Sequence, residues 1–475
     1  MMDLKDKTVS VVIDREVKGY PVKPPFDPPN EIYAMVSKLF AQIGDPIQSI
    51  VKPGDIVVIK PNMVNHCHPK GEEYVLSTVT HGSVIRPVID IVYKALKGKG
   101  KIYICDTSLE KADFDEILRI TGIGNMVEHL RTERNYPLEV FDLRPYKSVH
   151  LFGDKWKKKD LAGDPAGYLT VDLKSQSEFA PLDNDTQNYH TLADHTVDHY
   201  EPFCKESGIP NNYHNADRHK YVVARTLLNA DVVISMPKLK THCKAGVTIN
   251  LKNMIGIISG KKYIPHHRPG NPPQGDAFAK APPEDFVKYR FIRQKIARSL
   301  GWLEYIIGKN LMKKTANAGR AMILEKLWPV KAVQDNVIQW GDWYGNDTLW
   351  RAILDVNKIL LYCDRDGVLS DRPQRKYFSV IDGIVGHEGN GPMAGDPINS
   401  AVLIGGFSPA SVDVAGSMIM GFSPEKIKSL SNIKNIRKYF LGESEIKEND
   451  FVCNTEGRPD YKFKPPKGWK GHIEK

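Results

Sequence analysis

At 475 residues, with 41% apolar and 26% charged content, the chain is long enough for two lobes or for one lobe with large insertions, and too apolar to be disordered. Its formal charge of +9, from 66 basic and 57 acidic residues, is moderate and comes without a nucleic-acid fold motif or aromatic–basic interleaving, so nucleic acid is not an expected partner. No run approaches the roughly 20 apolar residues needed to cross a bilayer, and "MMDLKDKTVSVV" lacks a signal peptide's apolar stretch, so a cytoplasmic location is expected.

In chain order, "TVSVVI" reads as a strand and "NEIYAMVSKLFAQIG" as a helix with a glycine stop. "DIVVIKPN" reads as a fully apolar strand, "HGSVIRPVIDIVYKALKGKG" as a helix capped by Ser83, and "KIYICDTS" as the next strand. This alternation predicts an α/β fold with a mostly parallel or mixed sheet flanked by helices and two large insertions. The core is expected over 1–130, 221–260 and 346–440. Region 131–220, with strand-like "PLEVFDL" and "GYLTVDL" among irregular polar sequence, reads as an insertion or lid. The pattern resumes with helix "YVVARTLLNA" and strand "DVVISMPKLK". Region 261–345 opens on the Pro/Gly-rich "PHHRPGNPPQGD" and reads as a helical insertion. Helix "DTLWRAILDVNKILLYCD", strand "YFSVIDGI", loop "VGHEGNGPMAGDP", strand "AVLIGG" and helices started by Ser408 and Ser423 follow, with 441–475 as a C-terminal tail.

Ligands of open α/β sheets sit beyond the carboxyl ends of the strands, and the exceptional residues fall there. Lys60 and Asn62 follow "DIVVI", Asp106 follows "KIYIC", Lys238, Lys240 and His242 follow "DVVIS", and Asp382 and Glu388 follow "YFSVI". A polar strand end that merely meets water is the bland account of any one of them; four together point to one crevice. Lys238, Lys240 and His242 alternate, so an extended backbone puts them on one face, where like charges repel unless an anion lies between them. The following "VTINLKNMIGIIS" reads as a helix carrying Lys252 and Asn253, whose start would add a second anion-binding device. The glycine-rich "GHEGNGPMAGDP" lacks the Gly-Lys-Ser/Thr of a P-loop and places Glu388 and Asn390 where backbone can approach a ligand. Asp413, on an apolar helix, needs a lysine, a helix start or a metal as partner.

Six cysteines, at 67, 105, 204, 243, 363 and 453, are scattered singly, so no iron–sulfur cluster is expected from their spacing. His190, His195 and His199, and His214 with His219, have suggestive spacing, but no H-E-x-x-H occurs. A divalent metal at Asp106, Asp382 or Asp413 is an expectation that spacing does not establish.

"DIVVIKPN", the threonine-bearing loop before a helix, "KIYICDTS", "ADVVISMPKLKTHCKAGVTINLKNMIG" and "IDGIVGHEGNGPMAGDP" with "GGFSPASVDVAGSMIMG" occur in the order found in the domain of unknown function 362 family, which the chain resembles. Lys60, Asn62, Asp106, Lys238, Lys240, His242, Lys252, Asn253, Asp382, Glu388, Asn390 and Asp413 match its pattern. The resemblance implies the fold and the location of the site and leaves the reaction unassigned. Many relatives are labelled iron–sulfur centre proteins for an appended ferredoxin segment, which is missing from this sequence.

The leading expectation is an enzyme acting on an anionic small molecule. Lys60, Asn62, Lys238, Lys240, Lys252, Asn253 and Asn390 would bind the phosphate or carboxylate, while His242 and Glu388 exchange protons. A non-catalytic binder of an anionic metabolite or polymer uses the same lysines and moves no proton. A redox protein akin to the ferredoxin-bearing relatives is the third reading, and the cysteine spacing argues against it. Oligomeric state is not legible in the sequence.

Overall fold

The computed structural model describes residues 4–21, 23–152, 155–182, 190–191, 213–215, 218–268, 270–281, 337–436 and 438–475. The helical run read from "DFVKYRFIRQ" and the side chains of His190, His195 and His199 lie outside the described residues. Among the described residues no helix is long and apolar enough to cross a membrane.

A mixed ten-stranded sheet organises the fold. Its strands are β1 (Val9–Ile13), β2 (Ile56–Pro61), β3 (Lys101–Asp106), β4 (Leu138–Asp142), β5 (Val232–Met236), β6 (Lys238–His242), β7 (Lys376–Glu388), β8 (Asp396–Gly406) and β9 (Phe451–Cys453), plus the two-residue Gly246–Val247. The order is β9-β1-β8-β7-β5-β2-β3-β4. From β7 through β4 every neighbour pair is parallel, while β8 runs antiparallel to β7 and β1. Both β3 and β5 flank β2, so the chain leaves β2 in one direction and returns on the other side; that reversal is where open α/β sheets hold ligands.

Strand side chains alternate between two cores. Val57, Ile59, Ile102, Ile104, Val232 and Ile234 face helices α1 (Glu31–Ala41) and α2 (Gly82–Leu96), whereas Val58, Cys105 and Val233 face α3 (Leu349–Tyr362) and α4 (Pro409–Ile419). Burial on both faces explains why these strands read as uninterrupted apolar runs. Helix α1 follows its pattern closely: Asn30 accepts from the Tyr33 amide, and Ile32, Met35, Val36, Leu39 and Phe40 form one buried stripe.

Several elements differ from their sequence patterns. His81, not Ser83, caps α2, its ring nitrogen accepting from the Ser83 amide. "YVVA" is the end of a strand, Arg218–Ala224, paired antiparallel with Tyr168–Asp172, and only Arg225–Asn229 is helical; its β-branched valines suit the half-buried ladder better than a helix. "VTINLKNMIGIIS" supplies one α-turn, Asn250–Asn253, and a 3-10 turn, Met254–Ile257, in place of a helix. β4 falls in the 131–220 region yet is the sheet's edge strand. In 441–475, Phe451–Cys453 joins the sheet beside β1, and Phe463 and Trp469 are buried.

Candidate functional site

Pro237 divides one extended stretch into β5 and β6, and both pair parallel with the thirteen-residue β7. The sheet therefore continues past the carboxyl ends of β2 and β3 and carries Lys238, Lys240 and His242 into the space beyond them. The first group of polar side chains joins β2, β3 and β5. Lys60 Nζ lies 2.7 Å from Asp106 Oδ1, 3.0 Å from the Pro61 carbonyl and 3.3 Å from Asn253 Oδ1. Asn253 Nδ2 donates in return to the Lys60 carbonyl and Ser235 Oγ. Asp106 also accepts from the Met63 amide at 2.6 Å and the Thr107 amide at 2.8 Å, so its charge is met on every side.

A second group ties β6 to β7. Lys238 Nζ lies 2.9 Å from Asp382 Oδ2 and also meets the Tyr20 hydroxyl, which donates to Asp382 Oδ1 at 2.7 Å. The His81 amide adds a third donor to this carboxylate at 3.0 Å, and the His81 ring stacks on Tyr20 at 4.1 Å. Burial, and then Asp382, pushes the Tyr20 hydroxyl well above its ordinary pKa, so it remains a donor.

Lys240, Lys252 and Lys261 have no carboxylate partner among the described residues. Lys240, buried, donates to Asn62 Oδ1 at 2.9 Å and the Thr78 carbonyl at 2.7 Å, both neutral acceptors. Lys261 donates to the Thr107 carbonyl at 3.1 Å. The Lys252 amine, part-buried, has no hydrogen-bond or ion-pair partner among the described residues. Lys244 does, in Asp342 at 2.7 Å. Burial first, then neighbouring lysines, lowers Lys240 well below its ordinary pKa; burial and Lys261 lower Lys252 to about 7; burial and Lys60 lower Lys261 to about 8, against the pull of Asp106. These amines thus share one electrostatic field with more positive charge than nearby carboxylates balance.

Two histidines border that field with opposite tautomers. His242 Nδ1 accepts from the Lys244 amide at 3.1 Å, which leaves its proton on Nε2. His266 Nδ1 lies 2.7 Å from the Ile264 carbonyl and must donate to it, which leaves Nε2 as a lone pair. Burial and the surrounding lysines, Lys252 and Lys244 among them, hold both well below the usual histidine pKa, so both are neutral at pH 7.

The structure brings together Lys60, Asn62, Asp106, Lys238, Lys240, His242, Lys252, Asn253 and Asp382. Glu388 and Asn390 lie on the loop that borders the β6 end, where the Cys243 amide donates to the Gly391 carbonyl, but their side chains are engaged by the C-terminal segment: Glu388 accepts from the Lys464 amide at 2.9 Å and pairs with its ammonium at 3.0 Å, and Asn390 accepts from the Lys467 amide. Both therefore fasten the C-terminal segment. Asp413 accepts from the Asn250 and Leu251 amides at 2.6 and 2.9 Å, so the helix start expected to bind an anion already holds a carboxylate, and burial raises that carboxyl to about 7. Asp106, Asp382 and Asp413 sit in three separate networks, and among the described residues no three His, Cys, Asp or Glu side chains gather as a metal cluster. Sequence reasoning missed His266, Lys261, Tyr20 and His81. "PHHRPG" carried a signal in its paired histidines, which the Pro/Gly punctuation obscured; Tyr20 carried none.

Fold and site together define an α/β protein with a lysine-rich centre at the carboxyl edge of its parallel strands. The chain belongs to the family described as Domain of unknown function (DUF362), whose model matches residues 57–166 and 189–418. No curated protein and no solved structure matches the chain.

Proposed function

We propose that the protein is an enzyme acting on a small molecule bearing phosphate or carboxylate, bound among Lys240, Lys252 and Lys261. The observation that carries this reading is that these three amines lie in one field and, among the described residues, none forms an ion pair with a carboxylate. An anion arriving there restores the missing charge and gains charge-assisted hydrogen bonds. The Nε2–H of His242 serves as a further donor to it, and the Nε2 lone pair of His266 is the proton acceptor best placed by tautomer. Lys60 and Lys238, already paired with Asp106 and Asp382, position the strand ends instead of binding ligand.

Thermal unfolding in the presence of phosphate, sulfate and citrate tests the anion site. Ligand at about 100 times its Kd stabilises by about 2.7 kcal/mol, and Lys240→Met or Lys252→Met should cut the shift while both variants still unfold cooperatively. Because anions draw protons onto depressed lysines, calorimetry at pH 8 in two buffers of different ionisation enthalpy should show proton uptake on binding. Unchanged anion shifts in both variants would remove the reading. The engagement of Glu388 by Lys464 favours a second reading, a non-catalytic binder; that protein would show the same shifts but no turnover dependent on His266.

A further inference from the structure

We infer that the Lys252 amine is a nucleophile that forms an imine with an aldehyde or ketone whose anionic group rests on the neighbouring lysines; this deepens the anion reading above and rests on it. The geometry separates Lys252 from every other lysine of the site. Lys60, Lys238 and Lys244 are committed to Asp106, Asp382 and Asp342, while Lys240 and Lys261 are committed to carbonyl acceptors. Lys252 has no partner among the described residues and keeps part of its surface open. Its backbone is held rigidly, because Asp413 ties down Asn250 and Leu251 on one side and Asn253 is bonded to Lys60 and Ser235 on the other.

A free amine beside other cations is the arrangement that activates lysine toward carbonyls. With its pKa near 7 it is about half neutral at pH 7, against roughly one part in 3,000 for an ordinary lysine. Attack by the amine forms the C–N bond and places the carbonyl electron pair on oxygen. One nitrogen proton passes through His266 Nε2 to that oxygen, giving a neutral carbinolamine. The nitrogen lone pair then expels hydroxide, which takes the last nitrogen proton and leaves as water, so amine and carbonyl become imine and water with no change of oxidation state. Lys240 and Lys261, which share its field and hydrogen-bond neutral acceptors, hold the phosphate or carboxylate and favour the carbonyl end meeting Lys252.

The test is reductive trapping of the full chain at pH 7 with glyoxylate or pyridoxal 5′-phosphate and cyanoborohydride, followed by peptide mapping. The expected result is a secondary amine at Lys252 formed at least about tenfold faster than at an exposed lysine such as Lys157, consistent with its larger neutral fraction, and suppressed by excess inorganic phosphate. Lys252→Met and Lys252→Arg should both lose the adduct; the arginine variant keeps the charge in case the methionine variant fails to fold. Adducts confined to exposed lysines, or equal rates at Lys252 and Lys157, would overturn the inference. If phosphate still raises the melting temperature in that case, the anion site stands without the imine; trapping at Lys252 that phosphate neither suppresses nor accompanies with stabilisation overturns the anionic-carbonyl assignment itself.

Discussion

A single methyl group at Gly256 decides whether the Lys60–Asp106 pair can form. A Cβ built there would lie 2.0 Å from Asp106 Oδ1 and 2.6 Å from Lys60 Nζ, in a turn whose carbonyl also accepts from the Thr107 amide. Gly256→Ala must therefore displace the pair, and separating a buried ion pair costs about 3–5 kcal/mol; urea unfolding should show a loss of that size, and a loss under about 1 kcal/mol would mean the turn yields instead. Asp382→Asn probes the other pair differently. It preserves shape but leaves the buried Lys238 ammonium without its counter-charge, so it should destabilise by a similar amount, whereas Asp382→Asn combined with Lys238→Met should regain much of the loss. At this scale the sequence was partly legible. Lysines and aspartates at strand ends announced themselves by type, but which cation met which anion depended on the three-dimensional register, and Tyr20 bonds to Asp382 across 362 residues of chain.

Among the elements, β6 and β7 carry Lys238, Lys240, His242 and Asp382, and the segment around Phe463 and Trp469 fastens the end of β6. Trp469 is buried, its Nε1 donates to the Cys243 carbonyl at 2.6 Å, and its ring packs beside Gly246. Trp469→Ala should cost about 3–5 kcal/mol, the usual range for deleting a buried tryptophan. Because Cys243 directly follows His242, the variant should also weaken phosphate binding, read as a smaller melting-temperature shift; full phosphate stabilisation in a destabilised variant would separate the segment from the site. The long apolar strands β2, β3 and β5 and helices α1, α3 and α4 were legible because two-sided burial and helical periodicity leave strong patterns. The turn at Asn250–Asn253 was not, since Asp413, far off in sequence, supplies the cap that ends the extended chain there. Nor was the strand β9, a three-residue edge too short to show alternation.

For the whole molecule, the depressed lysines set a pH dependence whose sign is fixed. Lys252 and Lys261 titrate near 7 and 8 when folded and near 10.5 when unfolded, so above pH 7 the unfolded chain binds more protons and stability rises with pH. Asp413, raised to about 7, works the other way and offsets part of the gain up to about pH 8, while the depressed His242, His266 and His387 act with the lysines as the unfolded imidazoles finish titrating. The Cys67, Cys105, Cys243, Cys363 and Cys453 thiols, pushed up by burial, oppose the trend as the pH approaches their ordinary 9.0. The melting temperature should accordingly climb between pH 7 and about 8, and saturating phosphate should flatten the climb; a flat or falling curve without anion would contradict the assigned lysine environments. The threading of the chain through the site has a consequence for biosynthesis. Residues from 60 to 413 can lay down every cation and carboxylate of the centre, yet Glu388, Asn390 and the Cys243 carbonyl find their partners only in residues 464–469. Translation as far as Asp413 therefore encodes all of these charges, while the segment that fastens Glu388, Asn390 and the Cys243 carbonyl is still to come.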